Sequence, residues 1–364
     1  MQQFNIEVFT RTFSLVQHYN AGAVQYDYDY LDTTENKVVL PYDENVQRGQ
    51  YIRLDNGKRN YFGVISGLDV GSVAEGYTEI RYKPFLSIFD ALIMFDTTWQ
   101  PVNGQGGIPL EEVLIRLITA YWISNTDTAA NIPGLRISAI SQTANWTLHI
   151  ENDVREINKA IVNLKEDLIH PALTKYQIGL YTTVDARTGT IDIKVGKRDT
   201  GVFVVEADLP NVVDRKIVLN STTVDTNKLV VYSTEDMTTQ ITYYKHPDGS
   251  YNTTDTDRMI PVIATMQTVT PSQEDTLAIL AQRAADKMFD SGTYNNLIEL
   301  EVTNDDALVH PASLTFGQIV SVITQGNVYP SIMTGIRVGD TTRVIFGTVR
   351  VELTKRIRRV LNNG

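Results

Sequence analysis

The sequence predicts a mainly β (α+β) chain, built as two related small antiparallel β-barrels with an inserted α/β domain. Two observations point there. A Gly-Gln segment near the start of the chain returns near its end with matching residues behind it, and the apolar periodicity is strand-like at both ends but helical in the middle. In the first copy Gly49-Gln50 leads through Asn56-Gly57 to Tyr61 and Gly67; in the second Gly317-Gln318 leads through Gln325-Gly326 to Tyr329 and Gly335. The opening and closing glycines are 18 residues apart in both copies, with the inner glycine displaced by one, as hairpin tips of different length would allow. Each copy then returns to an apolar strand, 78–82 or 342–347. Chance explains one short match in a strand-rich chain, but three matched elements in order make a duplication.

Taken in order, residues 5–82 read as short strands at 6–9, 26–30, 37–40, 51–54, 61–65 and 78–82, each alternating or β-branched, as in a small antiparallel barrel. An apolar stretch at 84–95 closes this unit. After a Gly-rich linker (97–107), a helix is expected from Pro109, with Leu110, Val113, Leu114, Leu117, Ile118 and Tyr121 on one face. A second helix is expected from Asn152 or Asp153, presenting Val154, Ile157, Ile161, Leu164 and Leu168 until His170-Pro171 stops it. Strands at 177–182 and 190–195 flank a turn at 185–189. A third helix is expected from Ser272 towards Asp290, with Ser272 and Asp275 as a capping box and Gly292 as terminator. The expected domains are a first barrel over 1–96, a middle α/β domain over 97–209 completed by 251–295, and a second barrel from 210–250 plus 296–364.

Composition bounds the function. At 364 residues the chain holds two or three folding units. No apolar run reaches the roughly 18 residues of a membrane span, and the Met1-Gln2-Gln3-Phe4-Asn5 start is unlike a cleavable signal. With no cysteine, disulfides and thiolate zinc sites are excluded. A net charge of -11 argues against a surface that holds nucleic acid, though not against one that DNA slides past.

No residue is assigned a catalytic, cofactor-binding or metal-binding role, and no cofactor is expected. His170, His246 and His310 each precede a proline and read as turns, since no metal-binding spacing accompanies them; His18 and His149 stand alone. Asp27 and Asp29 share one face of the 26–30 strand, and lack the glycine and further ligands of a calcium loop, so a solvated face explains them better, as it does Asp255, Asp257, Asp305 and Asp306. Gly104-Gln105-Gly106-Gly107 has neither the preceding strand nor the following lysine of a phosphate loop. The triplets at Asn145, Asn220 and Asn252 carry no meaning without secretion, and Lys355, Arg356, Arg358 and Arg359 form a solvated basic tail. Gly49, Gln50, Gly317 and Gln318 are the residues expected to matter structurally, glycine for tight strand entry and glutamine for bonds to nearby backbone.

The strand 4–9, the stretch 48–53, the apolar segment 85–92, Tyr243-Tyr244-Lys245-His246-Pro247-Asp248-Gly249 and Leu314-Thr315-Phe316-Gly317-Gln318-Ile319-Val320 together resemble the hub or tail-associated proteins of tailed-phage baseplates. That group includes the N-terminal domains of siphophage tail-tip proteins. The resemblance spans nearly the whole chain and rests on strand and turn patterns. It implies a non-enzymatic structural protein of the virion tail tip: a homotrimer whose six barrels match a sixfold tail tube. The implied partners are a distal-tail or tail-tube ring and the tape-measure protein, with DNA passing through the channel without specific binding. The chain ends soon after the second barrel, which implies a short form without a C-terminal extension. Two other classes remain open at this stage. One is a peptidoglycan- or carbohydrate-active tail enzyme, which needs a carboxylate pair or metal site assembled by the fold. The other is a carbohydrate-binding receptor module, suggested by 18 tyrosines and 3 tryptophans.

Overall fold

The structure is a computed structural model. It describes residues 4–347 apart from 22–23, 25, 30–34, 56, 58–59, 70–75, 102–105, 143–145, 147, 149, 151–156, 198–202, 219–225, 248–249, 258–261, 273–274, 290–295 and 304–315. The chain divides into two units, Met1–Leu219 with Asn296–Gly364 and Asn220–Asn295.

In the larger unit the first strands are β1 (Phe4–Phe9), β2 (Leu15–Ala21), β3 (Tyr26–Asp29), β4 (Asn36–Pro41), β5 (Tyr51–Asp55), β6 (Asn60–Asp69), β7 (Tyr77–Pro84) and β8 (Leu92–Asp96). Six of them make one curled antiparallel sheet in the order β2-β1-β5-β6-β7-β4. Alternation decides the inner face: Ile6, Val8, Ile52, Leu54 and Ile80 are fully buried, while Lys37 and Val39 point outward between buried neighbours on β4. β3 leaves this sheet, and its pairing is described below. The apolar stretch after β7 is a 3₁₀ turn over Phe85–Phe89 that runs into β8.

The middle of the chain holds α1 (Leu110–Ile118), β9 (Leu135–Ala139), β10 (Lys159–Asn163), α2 (His170–Tyr176), β11 (Gly179–Asp185) and β12 (Thr190–Gly196). α1 follows Pro109 and buries Leu110, Val113, Leu114, Leu117 and Ile118, the stripe expected from its spacing; Glu111 and Glu112 occupy its first turn and Arg116 its last. β9, β12 and β11 form a three-stranded sheet. The expected second helix is corrected. Its start at 152–156 lies outside the described residues, and 159–163 is a strand antiparallel to β8. Ala160 and Val162 point inward and Ile161 outward, a period of two that the 3.6-residue reading missed. The helical cap is Asn163, whose side chain accepts the Glu166 N–H at 3.0 Å. A π-type turn over Leu164–Ile169 continues into α2, so Pro171 sits in a first turn, where a missing N–H is harmless, and begins the helix it was expected to end.

The remaining elements are β13 (Phe203–Glu206), β14 (Val212–Val218), β15 (Lys228–Ser233), β16 (Gln240–Lys245), β17 (Tyr251–Asn252), β18 (Ala264–Val269), α3 (Leu277–Phe289), β19 (Leu297–Thr303), β20 (Ile319–Thr324), β21 (Asn327–Val338) and β22 (Thr341–Gly347). The second curled sheet runs β13-β20-β21-β22-β19-β14, with β3 added beside β21. Strand β3 was expected in the first barrel; it joins the second because its backbone pairs with Gly335–Val338 and Asp27 holds Arg337 through two bonds of 2.6 and 2.7 Å.

The strands at 228–232 and 239–244, expected in the second barrel, belong instead to the smaller unit. There β17-β16-β15-β18 form a sheet, and Leu229, Val231 and Tyr243 pack on Ala281, Ala285 and Phe289 of α3. The apolar face of β15 and β16 is thus covered by a helix close in sequence. Asp275 N–H bonds Ser272 Oγ at 3.0 Å, but the Asp275 carboxylate turns to Arg283 at 2.9 Å instead of closing a capping box; the expected terminator Gly292 is outside the described residues.

One continuous core joins the two curled sheets. Ile6, Ile52, Leu54 and Ile80 from the first and Val320, Val322, Ile336, Val344 and Phe346 from the second lie in the same buried cluster. Each such side chain contributes roughly 1.5–3 kcal/mol on burial.

Candidate functional site

The duplication is the feature with the most detailed geometry. Gly49 has φ +86° and Gly317 φ +74°, a region where a Cβ would meet the following carbonyl. In the first copy Gly49 N–H donates to Ile65 O and Ile65 N–H to Gln50 O, both at 2.9 Å. In the second, Gly317 N–H donates to Met333 O and Met333 N–H to Gln318 O, again both at 2.9 Å. The hairpins that follow keep one register, Tyr51 opposite Val64 and Ile319 opposite Ile332. A bulge then falls at the same place in each, between Ile65 and Gly67 and between Met333 and Gly335. Four strands correspond throughout: β4-β7-β6-β5 in the first sheet and β19-β22-β21-β20 in the second. The glutamines sit at the elbows. Gln50 donates to Asn45 O and accepts from Gln47 N–H, both at 2.9 Å, closing the loop before β5, and Gln318 is buried.

The described residues weighed for chemistry fall on different elements. His18 is on β2 and bonds Asn5 Oδ1 on β1. His170 begins α2, a helix where an extended turn was expected. The His170 residue keeps a partly exposed surface, but its Nε2 is sealed from solvent; burial first, and the nearby Lys165 ammonium second, push its pKa down to about 4. His246 follows β16, buried, in the other unit. His149 and His310 lie outside the described residues. Asp27 is committed to Arg337, and no group of three or more His, Asp or Glu able to hold a metal occurs among the described residues. Asp305, Asp306, Gly104, Gln105 and the basic residues 355–359 are outside them, as are Asn145 and Asn220; Asn252 is on β17, where its Oδ1 accepts the Thr254 N–H.

The tryptophans are engaged internally. Trp146 is buried and donates to Ile108 O at 2.7 Å, Trp122 meets Phe89 edge-on at 5.0 Å, and Trp99 carries the Arg116 guanidinium over its ring at 5.5 Å. Trp146 is thus buried, while Trp99 and Trp122 keep partly exposed surfaces beside these contacts. Sequence reading overlooked the β8–β10 ribbon, whose outward Leu92, Met94 and Ile161 are exposed apolar side chains; its signal, alternation on both strands, was hidden by the helix-like spacing of 154–168. No helix of the described residues is long and apolar enough to cross a membrane.

Solved structures share this arrangement. A chain of the phage P2 baseplate in its activated conformation with Ca matches with a TM-score of 0.54 and 12% identity, over 95% of this chain and 98% of that one. The tail protein from Neisseria meningitidis MC58 matches with a TM-score of 0.52 and 14% identity, over 95% and 96%. The 43 kDa tail protein of prophage MuSo2 from Shewanella oneidensis matches with a TM-score of 0.51 and 12% identity, over 95% and 97%. The fold of this chain is therefore that of phage tail and baseplate proteins. No protein-family model and no curated protein sequence matches it.

Proposed function

We propose that this chain is a structural subunit of a phage tail tip or baseplate, a hub of which three copies form a ring that closes or extends the tail tube. The observation that carries the reading is the repeated elbow, hairpin and bulge, which gives one chain two like sheets around a shared core. A subunit with two like lobes meets a sixfold tube most simply as a trimer, each lobe taking one of six near-equivalent places. The likeness to tail and baseplate folds supports the virion tail as its location; a distal-tail or tube protein and the tape-measure protein are the neighbours such a hub would have. The role is mechanical and non-enzymatic: the ring keeps the channel narrow and opens through a second packing of the same interfaces on attachment. With 43 acidic against 32 basic side chains, its channel wall is acidic or neutral, so DNA passes without being held. Light scattering and negative-stain imaging of the chain mixed with its tail-tube or distal-tail protein test this; a threefold ring with a central hole is expected.

A further inference from the structure

Strand β18 edges the sheet of the smaller unit, and among the described residues no strand lies on its outer side. Its neighbour β15 runs parallel to it, with Val230 opposite Met266. Ile263 donates its N–H to Asn227 Oδ1 at 2.9 Å and its carbonyl accepts the Lys228 N–H at 3.1 Å, while the Val269 carbonyl accepts the Thr234 N–H at 2.8 Å. Odd-numbered residues of the strand therefore bond inward, and alternation turns the N–H and C=O of Ala264, Met266 and Thr268 outward. The same alternation puts Val269 on the face packed by α3 and Met266, 72% exposed, on the other. Sheet edges are normally shielded by charge, as Lys37 does on β4 and Asp214, Arg215 and Lys216 do on β14. From Val262 to Thr270 this edge carries no charged residue, and Val262, Ile263 and Met266 are exposed.

We infer that this edge pairs with the same edge of a second copy of the chain, antiparallel about a twofold axis at Met266. The strand itself selects that occupant. Its outward residues are symmetric about Met266, so Met266 exchanges both backbone bonds with the partner's Met266, and Ala264 exchanges both with the partner's Thr268. The side chains agree with this register. Thr265 falls opposite the partner's Gln267, polar on polar, and Ile263 opposite the partner's Val269, apolar on apolar. Sliding by one residue sets inward groups against outward ones and brings opposite faces together. Sliding by two leaves Ala264 or Thr268 without a partner inside the strand. The pair extends a four-stranded sheet to eight strands with both α3 helices on one face. A threefold ring holds no twofold axis, so this pair is a state of the chain outside the proposed ring, in which an uncharged edge is covered.

The absence of cysteine permits a test of register. Full-length chain carrying Thr265→Cys and Gln267→Cys is expected to form a disulfide-linked dimer under mild oxidant, since the two positions are directly opposed across the axis. Either single variant is expected to stay unlinked, because its two cysteines lie two residues out of register, farther apart than a disulfide spans. Sedimentation of the parent chain alone is expected to show a concentration-dependent dimer. Met266→Lys sets like charges on the axis and is expected to weaken that dimer at least about tenfold, as is Met266→Glu, and the two variants mixed are expected to regain it. A monomeric parent chain with no disulfide-linked dimer, or a dimer that ignores Met266→Lys, overturns the pairing and leaves the hub reading untouched. Hydrogen-exchange protection of the outward Ala264, Met266 and Thr268 amides that appears only with the tail-tube protein gives the edge to that partner and also overturns the pairing. A dimer that behaves as described, from a chain that forms no threefold ring with its tube protein, supports the pairing and contradicts the hub.

Discussion

Gly49 and Gly317 occupy the same elbow yet respond differently to a methyl group. Around Gly49 nothing lies within 4 Å of an added Cβ, so Gly49→Ala meets only the positive-φ penalty of about 1–2 kcal/mol. At Gly317 the Cβ would also come within 2.6 Å of Tyr181 Oη. Urea unfolding is expected to show the larger loss for Gly317→Ala, with part of the excess recovered in the Gly317→Ala, Tyr181→Phe double variant; equal losses would remove the argument. His170 gives a pH signature. Its folded pKa near 4 is below the ordinary histidine value of 6.5, so between these values the unfolded chain binds a proton that the fold refuses. Stability conferred by neutral His170 is complete above about pH 6.5 and declines as pH falls toward 4, by at most about 3 kcal/mol. Denaturation midpoints of His170→Gln across this window are expected to fall less steeply than those of the parent chain.

At the scale of elements, legibility followed the face a segment buries. The stripe on α1 was readable because five apolar residues at helical spacing are all buried. Segment 153–168 offered the same spacing, but within it residues 159–163 pair with β8 as a strand. Ile161 is 58% exposed while its neighbours Ala160 and Val162 are buried. Ile161→Asn is therefore expected to change unfolding free energy by no more than about 0.5 kcal/mol, and Val162→Asp to cost several. A large effect at 161 with a small one at 162 would restore the helix. Strands 228–233 and 240–245 were correctly seen as strands and assigned to the wrong sheet, because alternation reports a buried face without naming what covers it. The elbow glycines were legible for the opposite reason: a backbone conformation that rejects side chains leaves its mark directly in the sequence, at both Gly49 and Gly317.

For the whole molecule, the sequence displayed the repeat but not the strands that each repeat borrows. β3 sits early in the chain and completes the second sheet, a long-range pairing that local pattern does not encode. The scattered histidines and committed carboxylates lead to an expected outcome for activity: purified chain forms no clearing in a cell-wall zymogram, with or without zinc, and a band abolished by one carboxylate substitution would mark an enzyme. The central claim is that duplication within one chain builds a threefold ring, and the most direct measurement is the mass and rotational symmetry of the particle formed with its tail-tube or distal-tail protein. Three copies displaying six similar lobes around a hole are expected; no ring, or a ring of any order but three, would contradict the account.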